Sequence, residues 1–131
     1  MRYDEASERL QEFRSRIKEL HEQMRHVQEE TEPQEVQDYA LTATDGSVAH
    51  LSNLFGPHAY LFVVHNMGST CPYCTTWADG FNGVLDHLES RAAFVVSSPD
   101  DPETQRKFAD GRGWRFRMVS HAETSFAEDM G

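Results

Sequence analysis

The chain has 131 residues and a mass of 15.0 kDa, enough for one domain with an appended element but not for two cores. Its 22 acidic and 12 basic side chains leave a formal charge of −10, which argues against a nucleic-acid or anionic-membrane binder, because phosphate contacts need clustered Lys and Arg. No apolar run approaches the roughly 20 residues that span a bilayer, and MRYDEASERL at the start lacks a signal peptide's apolar centre, so a cytoplasmic protein is expected.

Apolar side chains are unevenly placed: 9 in residues 1–33 and 41 in residues 34–131. The first segment therefore reads as a long amphipathic helix and the second as the globular domain. Tyr3, Ala6, Leu10, Phe13, Ile17, Leu20, Met24 and Val27 follow the alternating three-and-four spacing of a heptad stripe, predicting a helix over 3–30 that Pro33 closes. Glu5 with Arg9, Glu12 with Arg16 and Glu22 with His26 are spaced for ion pairs along it. So narrow a stripe needs a partner, either its own domain or a second copy. A parallel homodimeric coil is disfavoured, since Arg9 would face Arg14 of the other copy. Antiparallel or exchanged helices, or a sheet edge, are the routes left to a homodimer.

Two short alternating segments, Tyr39 to Thr42 and Val48 to Leu51, flank Asp45-Gly46, a hairpin signal. Ser52 or Asn53 can open a single helical turn ending at Gly56. His58 to His65 is almost continuously apolar and reads as a strand buried on both faces, as does Ala92 to Ser97. Between them, Pro72 to Leu88 reads as one helix with Trp77, Phe81, Val84, Leu85 and Leu88 on its core face, and Gly80 and Gly83 are small enough to allow close approach to the sheet. The unit is a strand-helix-strand crossover, and the class is α/β. Asp101 and Pro102 suit the N-cap and first turn of a helix to about Asp110. Trp114, Phe116 and Met118 alternate with Arg115 and Arg117, predicting a strand with one wet face. The tail from His121 reads as a loop or short helical turn.

The only two cysteines, Cys71 and Cys74, fall just after the first central strand, where the crossover helix opens. Pro72 at the first helical position makes Cys71 the N-cap and puts Cys74 one turn further in, less exposed. A thiolate at Cys71 would meet unsatisfied backbone N–H groups and the positive end of the helix dipole, which lowers a thiol's pKa. One sulfur can then attack a disulfide and the other resolve the mixed disulfide. A Cys-x-x-Cys pair can also supply half of a zinc site, with His50, His58, His65 and His121 as available ligands, or be inert within a binding module. Near the pair, Pro72 and Thr70 are supporting candidates, Tyr73 inside the motif would lie near a substrate, and His65 can influence thiol ionisation. Asp79 is either a proton carrier or a solvated or capping acid.

The stretch from Gly68 through Cys71-Pro72-Tyr73-Cys74 and Trp77-Ala78-Asp79-Gly80-Phe81 to Gly83 resembles a bacterial thioredoxin-like family catalogued as a domain of unknown function. Val64-His65, Val96-Ser97 and Gly113 to Phe116 extend the resemblance over residues 34–131, and the long N-terminal helix also suits that family. The hairpin around Asp45-Gly46 and the segment after Phe116 are similar to elements of peroxiredoxins. The resemblance implies a thioredoxin-like, peroxiredoxin-type fold with an N-terminal β-hairpin and central parallel strands. It makes Cys71 the candidate nucleophile and Cys74 the candidate resolver, served by a disulfide substrate and an external thiol reductant, with no bound cofactor or metal. The alternatives are a thiol peroxidase and a non-enzymatic dimerisation module. Three departures accompany it. Pro72-Tyr73 is the glutaredoxin-type dipeptide without that family's glutathione-site signatures. Gly68 stands where peroxiredoxins carry Thr. The C-terminal hairpin with its cis-proline loop is expected to be missing, which would leave the strand around Phe116 at a sheet edge guarded by Arg115 and Arg117.

Overall fold

A computed structural model describes residues 1–131 as two compact units, Met1–Val36 and Gln37–Gly131. The first is essentially one helix, α1 (Tyr3–Glu30), and none of its residues is buried. Leu10, Phe13, Ile17 and Leu20 in its stripe are 48–56% exposed. The three expected ion pairs do not form. Arg25 instead takes Glu22 and Glu29, and His26 lies 3.4 Å from Glu30. These are surface pairs worth little individually. Thr31 ends the helix with its hydroxyl on the Val27 carbonyl at 2.8 Å, two residues before Pro33.

The second unit is a five-stranded mixed sheet with helices on its faces. Strands β1 (Ala40–Ala43) and β2 (Val48–His50) form the hairpin. At its tip Gly46 has φ +85° and the Asp45 carboxylate accepts from the Ser47 N–H at 2.9 Å. Strands β3 (Leu61–His65), β4 (Ala93–Ser98) and β5 (Arg117–Ser120) are parallel, and β1 pairs antiparallel with β5, so the order is β2-β1-β5-β4-β3. Period-two alternation sorts the core. Val95 and Val119 point to the face covered by Tyr39, Leu54 and Phe126, while Phe94, Val96 and Met118 point to the face covered by Ala78, Leu85 and Ala109. No helix is long and apolar enough to cross a membrane.

Three expectations are corrected. First, β3 lies at the sheet edge rather than being buried on both faces. Phe62 is 47% exposed, while every β4 residue after Ala93 is buried. A continuous apolar run reports residue type, and an edge strand can carry the same run as a central one. Second, the crossover helix is two helices, α2 (Pro72–Gly83) and α3 (Leu85–Glu89), because Val84 leaves the helical region at φ −116°, ψ 15°. Val84 is exposed rather than core, and a Cβ on Gly80 or Gly83 would meet nothing within 4 Å, so neither glycine serves close approach to the sheet. Third, β5 starts at Arg117 and is interior, paired on both sides, so it is not the open edge. Trp114 and Phe116 precede the strand and pack together at 5.1 Å, with Phe108 a further 5.3 Å from Trp114.

Helix α4 (Pro102–Arg112) starts as expected, with the Asp101 carboxylate accepting from the Thr104 N–H at 2.9 Å. It docks partly through a polar residue. Buried Gln105 donates to the Val119 carbonyl at 2.9 Å and the Ser98 hydroxyl at 2.8 Å, joining β5 to β4 beneath the helix. The tail forms a short helix, α5 (Phe126–Met130), whose Phe126 is 1% exposed.

Candidate active site

The approach to the cysteines is built by backbone bonds at the ends of two parallel strands. β3 and β4 are in register to His65 and Ser97. The Asn66 N–H then donates to the Ser97 carbonyl at 2.8 Å, and the Asn66 side chain accepts from the Gly68 N–H at 2.8 Å. Three residues past the last paired position, the two segments meet again. Asp100 accepts from the Ser69 N–H at 2.7 Å and lies so close to Gly68 that a Cβ there would fall 2.9 Å from a carboxylate oxygen. Gly68 also has φ +106°, a conformation L side chains rarely adopt. The Cys71 N–H closes the turn on the Gly68 carbonyl at 3.1 Å.

Cys71 is the N-cap of α2 and Pro72 stands at its first turn. The Cys71 sulfur accepts from the Cys74 N–H at 3.3 Å, and the Thr75 hydroxyl donates to the Cys71 carbonyl at 3.0 Å. Both cysteines are free thiols. Their ionisation is driven apart. The Cys74 side chain and the Cys74 N–H, favouring the charged form, hold the Cys71 pKa below the ordinary thiol value; burial opposes them, and the Tyr73 N–H adds a smaller lowering. The neighbouring Cys71 side chain raises the pKa of Cys74, which favours its protonated form. The exposure order is the reverse of the expected one: Cys71 is 9% exposed and buried, and Cys74 is half-buried. The N-cap sulfur is folded over the first turn, whereas Cys74 faces the Met67 N–H at 3.5 Å.

The other candidates are placed as follows. Thr70 and Tyr73 are exposed, Tyr73 to 79%. His65 packs on the opposite sheet face, its ring 5.3 Å from Phe126 and 6.1 Å from His121, and makes no hydrogen bond to either cysteine. His121 is held by Ser97 Oγ at 2.7 Å, and burial lowers its pKa, with a smaller contribution from His65. No three His, Cys, Asp or Glu side chains converge as a metal-ligand set. Trp77, expected in the core, is 69% exposed and stacks on half-buried Phe81 at 6.2 Å. Asp79 is paired. It binds the Arg112 guanidinium and accepts from Trp114 Nε1 at 2.7 Å, tying α2 to the end of α4, and these bonds hold its pKa at about 2. The contacts by which Asn66, Gly68 and Asp100 shape the turn before Cys71 are what sequence reasoning missed. The one available signal was the equal distance of Gly68 and Asp100 from paired strand ends.

With that geometry in place, the chain can be set beside known proteins. It matches the family described as bacterial protein of unknown function (DUF899) over residues 4–131, and it belongs to that family. No curated protein matches it. Among solved structures, it is similar to peroxidoxin BcpB from Mycobacterium tuberculosis, with 26% identity, a TM-score of 0.62, and coverage of 72% of this chain and 62% of that one. It is also similar to the Xanthomonas campestris bacterioferritin comigratory protein, described for its alkyl peroxide reduction activity, at 21% identity and TM-score 0.61, covering 71% and 59%. A Xylella fastidiosa PrxQ mutant aligns at 19% identity and TM-score 0.64, covering 76% and 62%. The chain thus spans less than two thirds of the length of these relatives, and its fold is the thioredoxin-like fold of peroxiredoxins.

Proposed function

We propose that this protein is a thiol-disulfide oxidoreductase. The observation that carries the reading is the Cys71 sulfur at the start of α2, receiving the Cys74 N–H at 3.3 Å beside the Cys74 side chain, which lowers its pKa. Donors aimed at a sulfur favour its thiolate, the nucleophilic form. Cys71 attacks a substrate disulfide and releases one substrate thiolate. Cys74 then loses its proton to solvent and attacks the Cys71 sulfur. The second substrate thiolate leaves, and an external dithiol reduces the resulting Cys71–Cys74 disulfide. A cytosolic redox poise suits that cycle.

The test is the pH dependence of iodoacetamide alkylation at Cys71, read by mass spectrometry. Its midpoint is expected below the ordinary ~8.5. Cys74→Ser, which keeps a donor, should raise it less than Cys74→Ala. An unshifted midpoint together with no reduction of insulin or of a small disulfide overturns the reading.

Peroxide reduction is the second reading, favoured by likeness to peroxidoxin BcpB and to a protein described for alkyl peroxide reduction. There Cys71 thiolate would take the terminal peroxide oxygen, releasing an alcohol, and Cys74 would condense with the sulfenate, releasing water. Consumption of an alkyl hydroperoxide with dithiothreitol as reductant, lost in Cys71→Ser, separates it from the first.

A further inference from the structure

We propose that one ordered water molecule bridges Gln105 Oε1 and the Asp100 carboxylate beneath α4, and that this bridge makes Gln105 a positioning residue for the turn that carries Cys71. The starting point is a buried oxygen that no protein donor reaches. Gln105 is 1% exposed, and Oε1 is the one buried side-chain oxygen or nitrogen without a hydrogen-bond partner. The orientation of the amide is fixed. One of its two polar atoms lies 2.9 Å from the Val119 carbonyl, which can only accept, so that atom is Nε2. The other Nε2 proton goes to the Ser98 hydroxyl at 2.8 Å. Turning the amide over would set one carbonyl oxygen against another, so Oε1 must find its donor elsewhere.

The surroundings identify that donor. Gln105 lines a small cavity of about 10 Å³, the room that one water takes. Asn66, Ser98 and Asp100 complete its polar wall, and Phe108, Trp114 and Met118 form the apolar one. Ser98 is itself 1% exposed, and it accepts from Gln105 with its own proton still to give. Asn66 uses Oδ1 on the Gly68 N–H, which leaves Nδ2 as a donor. Asp100 takes the Ser69 N–H on one carboxylate oxygen and has the other to offer. A water can therefore give its two protons to Gln105 and Asp100 and accept from Ser98 or Asn66, which makes about the three bonds usual for a buried water. A metal cation fits worse, because it asks for about six oxygens and repels N–H and O–H donors.

The same bonds carry the positioning role. Asp100 holds the Ser69 N–H at 2.7 Å, and the Cys71 N–H closes the turn on the Gly68 carbonyl at 3.1 Å. Gln105 is anchored to β4 through Ser98 and to β5 through Val119. The water joins that anchor to Asp100, so the sheet steadies the turn and the turn sets where the Cys71 sulfur lies. The role is the same for either thiol reaction, since it concerns the place of the sulfur and not what the sulfur attacks.

Two measurements on the full chain test this. A crystal structure of the wild type should show one solvent peak about 2.7–3.2 Å from Gln105 Oε1 and within the same reach of Asp100. The absence of such a peak overturns the proposal, and so does a peak about 2.0–2.6 Å from several oxygens, the mark of a divalent cation. The second measurement is the pH midpoint of Cys71 alkylation in Gln105→Met, which keeps the length of the side chain and removes the acceptor. The midpoint is expected to rise from the wild-type value toward the ordinary ~8.5. A residue that only docked α4 would lower stability to urea and leave the alkylation midpoint in place, and that result overturns the positioning role. Should Gln105→Met not fold, Ser98→Ala, which removes a donor to the water, takes its place with the same expected direction. A wild-type midpoint that is not lowered at all ends the positioning role together with the redox reading. The solvent peak decides the water without any thiol chemistry, so the two failures are distinguishable.

Discussion

Gly68 holds the geometry of the thiol site more tightly than any residue that does chemistry. Its φ of +106° and the Asp100 carboxylate 2.9 Å from a Cβ position impose two separate restrictions. Gly68→Ala is therefore expected to destabilise the domain by about 1–3 kcal/mol, measured by urea unfolding. Adding Asp100→Ala should not restore wild-type stability, because the backbone strain remains and the Ser69 N–H loses its acceptor. The turn also sets where the Cys71 N–H and sulfur lie. The Cys-x-x-Cys spacing was enough to place Cys71 at the N-cap, since Pro72 tolerates only the first turn of a helix. The exposure order of the two sulfurs was not legible. It depends on how the 66–70 loop folds over the N-cap, and that loop is shaped by Asp100 on another segment.

Among the elements, α1, the hairpin and α4 were readable from local pattern: heptad spacing, Asp45-Gly46, and Asp101-Pro102. The α2–α3 break was not, because the apolar spacing continues through Val84 while the backbone turns there. What ties α2 to α4 is also non-local. Asp79 on α2 binds Arg112 and Trp114, 33 and 35 residues away. Its carboxyl is depressed from 3.8 to about 2. A group depressed on folding stabilises above its unfolded pKa, and that stabilisation fades as pH falls through the folded value. The wild type should thus lose the Asp79 contribution between pH 3.8 and about 2. Asp79→Asn should be less stable at neutral pH and show a shallower fall across that window in acid-unfolding curves. Both residues are substantially exposed, so the difference is expected to be modest.

At the scale of the whole molecule, the sheet order decides which apolar residues are core. Phe126, from the tail read as a loop or turn, is 1% exposed and packs 5.0 Å from Tyr39 and 5.3 Å from His65. Trp77, from the expected core face of the crossover helix, is 69% exposed. Phe126→Ala should cost about 3–5 kcal/mol in urea unfolding, whereas Trp77→Ala should stay within about 0.5 kcal/mol. The reverse order would contradict the packing. By itself the sequence determined the α/β class, the approximate elements and the cysteine pair at a helix start. Those features are written in short-range spacing, turn chemistry and capping. Only the tertiary structure decided that β5 is interior and β3 is the edge, that His65 faces away from the thiols, and that Asp100 shapes the approach to Cys71. Strand neighbours and facing loops are chosen by pairing across the chain, and an apolar strand has the same composition whether one neighbour or two complete its hydrogen bonds.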